Sequence, residues 1–133
     1  MNSYSCESEI FAILFPIIKV VHIVIYHPFW EDNVRDESAV SCVFDIIEHV
    51  HTLPLFDPQS TKIIFCGDFN DLVNHVDALE HSFSLQGIVF AKTRGNRTLD
   101  QIFTNIKSDC EPQVFAPISR SDHCVVVWKP CKT

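Results

Sequence analysis

The longest apolar run in the chain is IFAILFPIIKVVHIVIY, residues 10–26, broken only by Pro16, Lys19 and His22. Its piece before the first charge, Ile10 to Ile18, is too short to span a bilayer. Glu7 and Glu9 precede it, where a signal peptide would carry basic residues. The run therefore predicts two β-strands, 9–15 and 19–26, buried on both faces and ending at Tyr26-His27-Pro28. No Gly or Asn turn separates the two, so a shortened hairpin loop is expected. The acidic stretch from Trp30 to Ser38 reads as a loop. Val40, Val43, Phe44, Ile47 and Val50 then fall at helical spacing, predicting a helix capped by Ser38 and ended by Pro54. KIIFC, from Lys62, is the next strand, and Leu72, Val76, Leu79 and Phe83 suggest a short helix. Short strands follow in GIVFAKTRGNRT, LDQIFTN, QVFAPI and CVVVW, the last closed by Pro130. The pattern is a mixed α+β chain, strand-rich, with polar residues gathered at strand tips. No linker or shift in composition divides it, so residues 1–133 are expected to form a single domain.

Composition narrows the class. With 133 residues, 47% apolar and 11% aromatic, the chain can bury a core of its own. The formal charge of −7 excludes binding to phosphate backbones by bulk electrostatics, so a nucleic-acid partner would require a metal ion or a local basic patch. None of the six cysteines forms a C-x-x-C pair. Cys42, Cys66 and Cys124 lie in apolar runs and read as small buried hydrophobes, and a reducing, intracellular setting is the simpler expectation than a disulfide framework. His49, His51, His75 and His81 do not make a zinc set, because His49 and His51 point to different faces of a helix and no cysteine completes them. WEDNVRDES lacks the ligand spacing of a calcium loop.

The chemistry concentrates at strand tips. KIIFC runs into Gly67-Asp68-Phe69-Asn70, where side chains two apart share a side and lie roughly 7 Å apart along an extended chain. A carboxylate there can activate water or hold a hard cation, and an amide can donate to a phosphate oxygen. A plain strand-ending Asx turn is the alternative. Asp122 and His123 precede the last strand, with an imidazole suited to proton handling near neutral pH. Asp100 lies among Leu99, Ile102 and Phe103, where a carboxylate needs a partner, and His123 would serve. Arg94 and Arg97 flank Gly95-Asn96 in a small basic turn suited to phosphate. Tyr26 ends its strand beside Pro28, where its hydroxyl can reach a site or simply face water over an apolar ring.

The order Tyr-x-Pro, Gly-Asp-Phe-Asn, Leu-Asp-x-Ile-Phe-Thr, Ser-Asp-His resembles the endonuclease/exonuclease/phosphatase superfamily. TRGNRTLDQIFTN followed by SDHCVVVW is most similar to the endonuclease domain of LINE-type (non-LTR) retrotransposons, and the likeness runs from about residue 7 to residue 128. The resemblance implies a metal-dependent phosphodiester hydrolase acting on DNA, with Mg2+ or Mn2+ as cofactor. By similarity Asp68 positions or activates the attacking water, Asn70 supports it and the phosphate, His123 contacts the scissile phosphate, and Asp100 orients His123. Asp122, with Asp68, would hold the metal; Tyr26, Arg94 and Arg97 would contact phosphate or DNA. The implied fold is a partial four-layer α/β sandwich whose N-terminal half is missing, since the family's upstream Asn and metal-binding Glu would precede Met1. Asp71 stands where a small residue is usual and His27 where Arg often sits. The expectation is therefore an endonuclease impaired by truncation. A catalytically inactive remnant or binding fragment and a phosphatase of the same superfamily are the alternatives. Expected partners are DNA, a missing N-terminal half or a reverse-transcriptase domain, with no membrane, in an intracellular location that includes the nucleus.

Overall fold

The computed structural model describes residues 9–28, 34–70, 72 and 77–131. Strands β1 (Glu9–Phe15) and β2 (Val20–Tyr26) form an antiparallel hairpin. Its turn, residues 16–19, closes with Lys19 at φ 55°, so a left-handed lysine does what Gly or Asn does in commoner hairpins. Helix α1 (Val34–His51) crosses to β3 (Lys62–Asp68), which pairs parallel with β2. Helix α2 (Ala78–Phe83) leads into β4 (Gln86–Gly87) and β5 (Asp100–Thr104). The five strands make one mixed sheet in the order β1-β2-β3-β5-β4. A separate two-stranded sheet follows, β6 (Gln113–Phe115) with β7 (Val125–Val127). The protein is thus of mixed α+β class. No helix among the described residues is long and apolar enough to cross a membrane.

The core lies on one face of the five-stranded sheet. Val21, Ile23 and Ile25 of β2 and Ile63 and Phe65 of β3 point to it, and Val43, Ile47 and Val50 of α1 join them in one buried cluster. Phe69, Leu72, Leu79 and Leu85 extend that cluster beyond the end of β3.

Several expectations are corrected. The helix begins at Val34 and not after a Ser38 cap, because Asp36 in its first turn is drawn into a buried pair described below. Residues 34–38 of the expected acidic loop are therefore helical, and Trp30 to Asn33 lie outside the described residues, as do Asp71, His75 and Val76. The first two strands are not buried on both faces: Phe11, Ile13 and Phe15 are 56%, 49% and 42% exposed, since no described element covers that side of β1. Cys110 and Cys131 form a disulfide that brackets the β6–β7 hairpin, so these two cysteines are not the reduced thiols expected. Cys42 is exposed, not a buried hydrophobe, while Cys66 and Cys124 are half-buried.

Candidate functional site

Register brings the first elements together. Tyr26, the last residue of β2, is opposite Asp68, the last residue of β3, and Asp68 is opposite Asp100, the first residue of β5. Directly opposed residues share a face, so the three form a row along one end of the sheet. It is the face away from the core, where Phe11, Val24, Cys66 and Ile102 form the next row but one. Gly67 makes this strand end possible. Its φ is +146°, and a Cβ there would lie 1.9 Å from the carbonyl oxygen of Ile25, so only glycine fits.

His123 comes from the loop between β6 and β7. Its Nδ1 donates to Asp100 Oδ2 at 2.8 Å, which leaves Nε2 facing Asp68 Oδ2 at 3.5 Å. Thr93, fully buried, organises the rear of this contact. Its Oγ1 accepts from the backbone N–H groups of Leu99 and Asp100, and its carbonyl accepts from Cys124 N–H. One threonine thereby ties the start of β5 to the residue after His123.

The electrostatics follow from this packing. Burial pushes the Asp68 carboxyl up, its acceptance of the Asn70 N–H pulls the other way, and the neighbouring Asp100 charge pushes it up again, leaving it above the ordinary 3.8. For His123 burial is the largest single influence and acts to lower it. The hydrogen bond and charge of Asp100, then the charges of Asp68 and Asp122, outweigh burial and hold the imidazole above its ordinary 6.5. Asp68, Asp100 and His123 present ligand atoms within 4.8 Å of one another, a group that could hold a metal ion.

The other expected residues fall around this cluster differently. Asn70 does not project alongside Asp68. It is at φ 46°, buried, and its Nδ2 donates to the carbonyl of His27 at 2.6 Å, so its amide is not presented to an incoming phosphate. Its N–H donates to Asp68 Oδ1 at 3.1 Å, which is the Asx turn. The turn and the site are the same feature, because the turn aims the Asp68 carboxylate. Asp122 is largely exposed and pairs with Arg94 at 2.9 Å; its Oδ1 is 3.9 Å from His123 Nε2. Arg94 and Arg97 bridge each other across Gly95 in the turn anticipated for them. Tyr26 is half-exposed at the rim. Thr93 and the pair His27–Asp36 were not anticipated as site residues; a threonine in a polar loop and a histidine before proline carry little signal of their own.

No protein-family model, no curated protein and no solved structure matches the chain.

Proposed function

We propose that the chain carries a phosphodiesterase site that hydrolyses DNA with a divalent cation, of the kind found in the endonuclease/exonuclease/phosphatase superfamily and its LINE-type retrotransposon endonucleases. One observation carries the reading: a single imidazole bonded through Nδ1 to Asp100 and set 3.5 Å from Asp68 through Nε2, at a sheet end rimmed by Tyr26. The order of the motifs in the sequence supports it.

The residues divide the work of in-line hydrolysis. Asp68, its carboxyl held above the usual range, takes the proton of the attacking water as the water oxygen bonds to phosphorus and the ester P–O bond breaks. His123, its charged form favoured by its carboxylate neighbours, donates to the phosphoryl oxygens where negative charge develops. Asp100 fixes the ring's orientation. The carboxylate oxygens of Asp68 and Asp100 suit Mg2+ or Mn2+, with Asp122 at the rim as a further donor once released from Arg94. Such an ion would neutralise phosphate charge that the −7 chain otherwise repels.

The test is nicking of supercoiled plasmid in Mg2+ or Mn2+ by the wild type and His123→Ala. Cleavage that requires His123 and stops on chelation supports the proposal, and equal rates in both proteins sink it. The Arg94–Asp122 pair favours a second reading, binding without turnover, because it takes up a carboxylate otherwise offered to the metal. That reading expects retention of DNA in a mobility-shift assay with no nicking. Release of phosphate from a small phosphomonoester without nicking would point to phosphatase action.

A further inference from the structure

His27 and Asp36 are more deeply buried than any member of the reactive cluster. Their side chains are 1% and 4% exposed, against 19–23% for those of Asp68, Asp100 and His123. Their contact, His27 Nε2 to Asp36 Oδ1, is 2.6 Å. A buried polar pair of this kind is weak as a device for stability alone, since apolar residues of like volume serve as well. It does hold its two elements in one relative position, and here the elements are the end of β2 and the first turn of α1.

The main chain of His27 continues the connection. Its N–H donates to the carbonyl of Asp68 at 2.9 Å, and its own carbonyl accepts Nδ2 of Asn70 at 2.6 Å. Asn70 in turn donates its N–H to Asp68 Oδ1 at 3.1 Å. A continuous set of bonds runs from Asp36 through the His27 ring and backbone to Asn70, and from Asn70 to the Asp68 carboxylate that faces His123. Asn70 sits at φ 46°, in the left-handed region that asparagine visits more readily than most residues, and these contacts fix it there.

We propose that the buried His27–Asp36 pair is a positioning device for Asp68, acting through the His27 backbone and Asn70. The device deepens the phosphodiesterase reading and rests on it for its kinetic consequence alone. Asp36 and His27 are positioning residues; neither touches the space between Asp68 and His123.

The test combines a structural and a kinetic readout on the full chain. Asp36→Asn is isosteric and retains an acceptor, Asp36→Ala removes it, and Ile47→Val trims the same helix without touching His27. The side-chain amide of Asn70 is followed by NMR solvent exchange, and plasmid nicking supplies kcat and KM. Exchange should accelerate about 10–100-fold from wild type to Asp36→Ala, with Asp36→Asn between, and kcat should fall over a similar range at unchanged KM. Ile47→Val should move neither. Should no protein nick DNA, faster Asn70 exchange in the Asp36 variants still supports the positioning device while the phosphodiesterase reading fails. If nicking proceeds and Asn70 exchange and kcat in Asp36→Asn match the wild type, with only thermal stability reduced, the pair is merely structural and the inference is overturned. Should Asp36→Ala fail to fold, Asp36→Asn decides alone.

Discussion

Asp68 and Asp100 are register partners across β3 and β5, so two carboxylates meet on one face at the end of this pair of strands. Like charges set directly opposite destabilise a strand pair. His123 answers both, bonding one and standing 3.5 Å from the other. The sheet end is therefore complete only when an element from the second sheet reaches it.

That arrangement has a definite pH signature. The folded His123 lies above 6.5, so its contribution to stability is fully present below pH 6.5 and is lost as pH rises through the folded value. The folded Asp68 is also raised, above 3.8, and its linkage has the same sign. Urea midpoints should decline as pH increases above 6.5, and His123→Gln should flatten that decline. A wild-type midpoint that climbs over the same window would contradict the electrostatics described.

Asp100→Asn weakens the hydrogen bond that does most to raise His123 and removes the charge that adds to it. The imidazole pKa, followed by NMR titration, should fall in this variant. Nicking should drop by about 10²-fold or more, the usual scale for a mispositioned proton-handling group. An unchanged titration would mean that Asp100 does not hold the ring in solution.

Gly67→Ala should be among the most damaging single substitutions. The added Cβ meets backbone, not a side chain able to turn aside, 1.9 Å from the Ile25 oxygen. The left-handed φ adds about 1–3 kcal/mol of backbone strain to that clash. Thermal unfolding should show loss of the cooperative transition or a large fall in its midpoint, and a drop of only a degree or two would show that β2 and β3 can part at little cost.

The face of β1 and β2 that no described element covers should drive association. Phe11, Ile13 and Phe15 stand in a row beside the half-exposed Tyr26, and contiguous apolar surface of this kind favours self-association. Sedimentation should detect oligomers that dissociate in a Phe11→Ser/Ile13→Ser variant. A monodisperse wild-type monomer would show that the face is tolerated as it stands.

Much of this was readable from local pattern. The strand before Gly67, the helix through Val43 and Ile47, and the carboxylate of Asp100 in need of a partner were each signalled by spacing and by the cost of burying a charge. The pairing of Asp100 with His123 followed from the same argument. Long-range geometry was not readable. Whether Asn70 extends the strand or turns back depends on His27, a residue 43 positions away, and on a backbone carbonyl that no pattern announces. The helix start was misplaced for a similar reason, since Asp36 looked like one more charge in an acidic loop until a buried histidine claimed it. The disulfide escaped because Cys110 and Cys131 are brought together only by the hairpin between them.

That hairpin changes how His123 is supplied. The bond between Cys110 and Cys131 closes a loop with the imidazole inside it, so His123 meets the two aspartates as a tethered reactant whose local concentration is set by loop length. Reduction leaves every group at the site chemically intact and only dilutes one of them. A reductant should therefore lower the turnover proposed here without altering its pH profile. Trp128, bonded to the carbonyl of Cys110, should report the loosening by its fluorescence.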